Sequence, residues 1–380
     1  MRTYFFLFVL LFSVSVVAQS TEQEKSEKKK TERTNSNVAP AYNNQPELEI
    51  DEAPKGSSFS SLQSSVISNA SLNIQKTFED IKKMSSQKTP TSKQIQKLNY
   101  ELIKIKNANQ NSFEYYLYNY KIGNYDFDRI EDLKMASKLQ PNHSEVIKSL
   151  SAFHYIQGNT QLLEAQLLKM HSAKHFTSQL TGFAKDVLKS MPKNAILITH
   201  GEDDTYPLLI EQYINNIRQD VKVISLDHLQ SEDYREKLRE EGLAIPLGNN
   251  INTSFFKEFV TQNSEKIVIA TSLPKSYLGT VSNSLNVEGL GFNVSPNKKS
   301  KSQQKNLVKL YDEHINKALN QKLNSGGYNK LLGNYLPLLF EIRNYWIDKS
   351  NAGKVDEIES QIIRIGKKTD RLEQILQMLK

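Results

Sequence analysis

Cysteine is absent from this chain, which leaves it without a disulfide, a thiolate metal ligand or a lipoprotein anchor residue. A fold of 380 residues must then hold by packing alone, and that length is ample for a large core and two or three domains. Long apolar runs are missing beyond residue 17; the best remaining one, 336–340, is soon broken by charges. It falls well short of the roughly 18–20 residues of a spanning helix. No Gly-x-Gly-x-x-Gly follows a strand-like run, which argues against a dinucleotide. No Ser-His-Asp or cysteine-based arrangement can be assembled either, so no catalytic residue is assigned.

One sign of charge does not dominate. Lys and Arg number 49 against 42 Asp and Glu, a net charge of +7. The lysine runs at 28–30 and 298–301 lie in polar sequence and read as solvated loops, and no nucleic-acid motif accompanies them.

What is present begins with an apolar stretch over 4–17 behind Arg2, ending in small residues at Val16 and Ala18. That is the pattern of a secretory signal peptide cut after Ala18, so the mature protein is expected to be exported, periplasmic or envelope-associated, with no transmembrane segment after cleavage. Residues 19–65 are Glu, Lys, Ser, Thr, Asn and Pro with few large apolar side chains, the composition of a disordered tether.

Helical spacing starts near Val66 and recurs over 92–106, giving a first hairpin. Next comes an internal repeat: Tyr120-Lys121-Ile122-Gly123-Asn124 returns thirty-five residues later as Tyr155-Ile156-Gln157-Gly158-Asn159. Each copy sits between an aromatic-rich helix and a leucine- or alanine-rich one, and Pro141 closes the first. The pattern resembles the tetratricopeptide repeat, which implies stacked helix pairs over 66–192 with a concave face for a protein partner. Tyr116, Tyr120 and His154 are the expected partner-binding residues. His171 and His175 fall four apart, a spacing zinc can use, but without an acidic helix residue between them they read as solvent-facing.

From Asn194 the period changes. β-branched runs over 195–199, 221–226, 266–272 and 291–295 alternate with helical segments over 206–217, 231–241 and 251–262. Strands separated by helices predict a small Rossmann-like domain with a parallel sheet over 193–297. Three further helices, 306–323, 328–349 and 355–380, make a C-terminal helical segment over 298–380. The fold class is therefore α/β plus α.

Chemistry concentrates behind the first strand, in His200, Gly201, Glu202, Asp203, Asp204 and Thr205. Three carboxylates after a strand can converge on a hard divalent cation or a sugar. The stronger reading is structural: Asp204 or Thr205 caps the following helix, with Pro207 in its first turn and the acidic residues at the positive end of the dipole. His200, beside them, can act as an acid or base with its pKa raised by their charge. Asp227-His228 ends the second strand, where a ribose-binding acid would stand; Gly279 and Gly289-Leu290-Gly291 read as turns. No cofactor and no metal is expected.

The same stretch is similar to the soluble extracytoplasmic C-terminal part of a bacterial family of protein O-mannosyltransferase-like multi-spanning membrane glycosyltransferases. Gly201, Asp204, Thr205, Pro207 and the run Ile217-Arg218-Gln219-Asp220-Val221 match its pattern, as do Tyr277-Leu278-Gly279 and Val287-Glu288-Gly289-Leu290-Gly291-Phe292. His200, Glu202, Asp203 and Tyr206 depart from it. The resemblance implies a shared soluble module over about 192–347 and carries no transferase activity, because the membrane-embedded part has no counterpart. The function expected is a non-catalytic cell-envelope interaction or scaffold protein, a subunit or accessory of an envelope assembly for secretion, motility or glycan export. The alternative is a protein that binds or processes a glycan or sugar phosphate at the 201–205 loop.

Overall fold

The computed structural model describes residues 57–297, 299–327 and 329–380. The expected signal peptide and most of the expected tether lie outside the described residues.

Three helix pairs open the described chain: α1 (Ser57–Lys82) with α2 (Ser92–Asn109), α3 (Phe113–Ile122) with α4 (Ile130–Leu139), and α5 (Ser144–Gln157) with α6 (Thr160–Ser172). Thr91 and Gln94 form a reciprocal capping box at the start of α2, satisfying backbone N–H groups that have no partner inside the helix. The two copies of the Tyr-x-x-Gly-Asn motif end their helices differently. Gly158 takes a φ of +76°, and with Asn159 it returns N–H groups to Tyr155 and His154, a left-handed stop that favours glycine. Gly123 remains right-handed; a Cβ there would lie 2.7 Å from Arg129 Cδ, so space is the constraint. Left-handed backbone passes instead to Asn124 and Tyr125, which turns both side chains toward the sheet. Asn124 Nδ2 donates to Gln230 Oε1 at 2.7 Å, and the Tyr125 ring meets His228.

After α7 (Ser178–Ser190) the chain lays down β1 (Ile196–Thr199), α8 (Glu202–Tyr213), β2 (Lys222–Ser225), α9 (Glu232–Glu240), α10 (Thr253–Gln262), β3 (Ile267–Ala270), α11 (Lys275–Gly279), β4 (Leu285–Glu288) and β5 (Gly291–Val294). The sheet order is β2-β1-β3-β5-β4. β1 runs parallel to both β2 and β3, with Ile196 level with Lys222 and Ile267. The expected fourth strand, β5, is antiparallel to β3, and β4 is an additional strand, so the sheet is mixed. The reason is the turn. Only Gly289 and Leu290 separate β4 from β5, and so tight a link permits a hairpin alone. Gly289 has a φ of +59°, and its ideal Cβ would fall 2.2 Å from Ser190 O. Gly289 serves a turn and a close approach to α7.

The C-terminal helices are α12 (Lys301–Leu310), α13 (Asn316–Asn324), α14 (Leu336–Asp348), α15 (Ala352–Lys368) and α16 (Leu372–Leu379). Each expected long helix is interrupted. A π turn at Tyr311–Ile315 divides the first, a 3-10 turn at Lys330–Tyr335 precedes Pro337 in the second, and Asp370 at φ +53° divides the third.

Two apolar clusters result. One is confined to the first two helix pairs and the facing side of α5, around Ile74, Leu98, Leu117 and Leu133. The other runs without a break from α5 and α6 through the sheet to the C-terminal helices. The third helix pair is therefore packed as part of the sheet layer.

A candidate functional site at the carboxyl edge of the sheet

β1 and β3 end side by side where the sheet order reverses direction, the place at which open α/β sheets usually hold ligands. The chain leaving β1 is tightly bound to itself. Thr199 Oγ1 and Thr205 Oγ1 share a hydrogen bond of 2.7 Å, which ties the strand end to the first turn of α8. Asp204, the third helical residue, reaches back to accept from the backbone N–H groups of His200 and Gly201 at 2.9 and 2.7 Å. Ser272 Oγ, beyond β3, donates to the same carboxylate at 3.0 Å. Burial pushes the Asp204 carboxyl upward, against these three bonds, which favour its charged form.

Glu202 points the other way, into the helix pairs. Lys148 Nζ of α5 lies 2.9 Å from it and Lys82 Nζ of α1 3.4 Å. Lys148 also pairs with Glu145, which Lys121 holds from α3. Burial alone would raise the Glu202 carboxyl; Lys148 and Lys82 outweigh it and hold the group at about 2. The same network holds Glu145 well below the carboxylate range and raises Lys148 and Lys82. Lys148 is buried on the inward face of α5, and Tyr206 Oη donates to its backbone oxygen at 2.8 Å.

Asp203 differs from its neighbours. It is half-buried and has no hydrogen-bond or ion-pair partner among the described residues. Burial, then the charges of Glu202 and Asp204, raise it to about 6.

His200 is buried against the Tyr277 ring, with centroids 5.3 Å apart, and neither its Nε2 nor Tyr277 Oη has a partner. Its pKa moves opposite to the sequence-based expectation. Burial first, then the Lys88 ammonium, depress it well below the usual histidine range, so the imidazole is neutral. The carboxylates do not reverse this, because Asp204 binds the backbone and Glu202 turns away. Lys88 comes from the loop between α1 and α2 and pairs with Asp227 at 2.9 Å. That loop straps the crevice: Lys88 N donates to Ile251 O at 2.7 Å, and Thr253 N donates to Ser86 O. His228 is enclosed by Tyr125, Tyr155, Tyr206 and Tyr234, and burial lowers it to about 4.

The residues expected to bind a partner do not share a surface. Tyr120 is 3% exposed and His154 9%, both packed inside the helix pairs, while Tyr116 is half-buried and donates to Asn111 Oδ1. The aromatic side chains flanking the repeat motif are core, since the apolar face of α3 is what joins it to α2 and α4. His171 and His175 are separated by the end of α6 at Ser172 and the left-handed Lys174, so the four-residue spacing is not one helix face. Among the described residues no group of three or more His, Cys, Asp or Glu is placed to hold a metal ion. Lys82 and Lys148, the partners of Glu202, and Lys88, the partner of Asp227, have no counterpart among the sequence-based expectations. One signal was available for Lys148, a charge directly after Val146 and Ile147 on an inward-facing turn.

By fold and site, the described chain is an array of helix pairs joined to a mixed α/β sheet through an internal network of ion pairs. Residues 180–247 match the family model of TMEM260-associated domain 2, TMEM260 being an O-mannosyltransferase-like membrane protein family. The match covers most of α7 and all of β1, α8, β2 and α9, and ends before Tyr277 and the β4–β5 turn. No curated protein and no solved structure matches the chain significantly. Among the described residues no helix is long and apolar enough to cross a membrane.

Proposed function

We propose that the protein is an exported, non-catalytic interaction protein of the cell envelope, in which the acidic loop is an internal joint between helix pairs and sheet. The observation that carries this reading is the consumption of the loop's polar groups by the chain itself: Glu202 by Lys148 and Lys82, Asp204 by two backbone N–H groups and Ser272, Thr205 by Thr199. A joint of this kind fixes how a helical array is presented to a partner. The likeness to the extracytoplasmic part of the O-mannosyltransferase-like proteins supports an envelope setting, with the module serving as a scaffold there.

A second reading, binding of a glycan or sugar phosphate, is favoured by one observation. His200 Nε2 and Tyr277 Oη stand together without partners, and Asp203, in the first turn of α8, makes no hydrogen bond or ion pair among the described residues. Affinity purification of the mature chain from its own envelope, in parent and Asp203→Ala forms, tests both. The scaffold reading expects the same protein partner with either form and no change in Tm on adding sugars. A sugar that raises the Tm of the parent and not of Asp203→Ala overturns it in favour of the second.

A further inference from the structure

The first helix pair leaves one face uncovered. On α2, Lys93, Lys97, Tyr100 and Lys104 recur at i, i+4, i+7 and i+11, a single stripe along the helix, and Ile103 lies beside it. Tyr100 is 63% exposed and Ile103 55%, and Leu62 and Val66 on α1 are exposed as well. Lys93 and Lys97 make no ion pair among the described residues, and Glu101, the one acid of α2, is buried and already paired with Lys104. The terminal unit of a helical array ordinarily ends in a polar face, because no further unit covers it. This one ends in a face that is both apolar and basic.

A segment of the same chain has the complementary composition. Pro46-Glu47-Leu48-Glu49-Ile50-Asp51-Glu52-Ala53-Pro54 carries four acids around two large aliphatic residues and lies outside the described residues, a few positions before α1. Its reach is sufficient. Ile103 is eleven residues from the start of α2, level with Ser71 of α1 in a hairpin, and thus about 21 Å from Ser57 at the helical rise per residue. Seven extended residues, the separation of Ile50 from Ser57, span up to about 24 Å.

We propose that residues 47–52 dock intramolecularly on the α1–α2 face, with Leu48 and Ile50 covering Tyr100 and Ile103 and the four acids meeting Lys93, Lys97 and Lys104. The chain thereby caps the open end of its own helical array. Tethering by so few residues gives an effective concentration on the order of millimolar, so individually weak contacts suffice. An acidic, aliphatic segment of a partner would have to displace this cap to reach the same face.

The absence of cysteine makes the test clean. Ala53→Cys and Asn107→Cys, placed together in the full chain, leave every residue of the proposed contact unchanged and come within reach of each other only if the segment docks as proposed. Under mild oxidation the disulfide is expected to form within one chain at least about tenfold faster than in the same chain carrying Lys93→Glu, Lys97→Glu and Lys104→Glu. Adding Glu47→Lys, Glu49→Lys, Asp51→Lys and Glu52→Lys to that reversed chain is expected to restore the rate. Equal rates in the parent and the singly reversed chain overturn the proposal, as does a disulfide that forms only between two chains. Retention of the parent's helical circular dichroism in each variant shows that a lost rate is not lost folding.

Discussion

The first and third helix pairs are both amphipathic hairpins and have opposite fates. α5 and α6 share one uninterrupted apolar cluster with the sheet, and their inward charges, Glu145 and Lys148, are bound up in the joint at Glu202. α1 and α2 keep a separate core and present Tyr100, Ile103 and unpaired lysines to solvent. The difference teaches that a helix pair in this protein is structural or available according to what faces it, since both pairs satisfy the same helical pattern.

Several substitutions can break that contrast. Replacing Lys148 with Ala leaves Glu145 to Lys121 and Glu202 to the longer contact with Lys82 in a poorly solvated joint, and is expected to cost about 1–3 kcal/mol, less than breaking a fully buried pair because each acid keeps a second lysine and some water contact. Urea unfolding of parent and variant measures it. Acidification should act on the same joint. His228 is held at about 4 against an unfolded value of 6.5, so the unfolded chain binds the extra proton first. Stability is full above pH 6.5 and falls by roughly 3 kcal/mol as pH drops toward 4. Glu202, held at about 2, contributes stability that is present above pH 4.5 and lost below it. Asp203, raised to about 6, acts in the other direction and gains stability as pH falls through 6. The prediction is a net decline in Tm between pH 7 and 4.5 that is shallower in His228→Phe.

A smaller effect is expected at Tyr155. Its hydroxyl donates to Val223 O at 2.5 Å in a buried setting, so Tyr155→Phe should cost about 1–2 kcal/mol. Lys97→Ala on the first pair should change stability by less than about 0.5 kcal/mol, as exposed charges generally do. A loss at Lys97 comparable to that at Lys148 would erase the contrast between the two pairs.

Much of the scaffold was legible because its causes are local. The β-branched runs that became β1, β2 and β3 announce themselves within a few residues, and the Tyr-x-x-Gly-Asn repeat marks two helix ends. β4 was missed because Leu285-Asn286-Val287-Glu288 is a short alternation with no flanking signal except the turn it makes with β5. The acidic loop is legible as a helix start, with a cap expected at Asp204 or Thr205; the helix in fact begins four residues before the expected 206, at Glu202, so Asp204 bonds back from its third position and Pro207 lies inside it. The loop's electrostatics were not legible, since Lys148 and Lys82 lie 54 and 120 positions from Glu202 and only the packed fold brings them together. Burial first, and then the charge of Lys88 from a remote loop, inverts the expectation for His200, and neither is visible in the local sequence.

The most direct test of the joint is a double-mutant cycle between Lys148→Ala and Glu202→Gln, read by chemical denaturation. An internal joint predicts a coupling energy of at least about 1 kcal/mol between the two positions. Losses that simply add, within about 0.3 kcal/mol, would contradict it and return the carboxylate of Glu202 to the pool of groups free to bind a ligand.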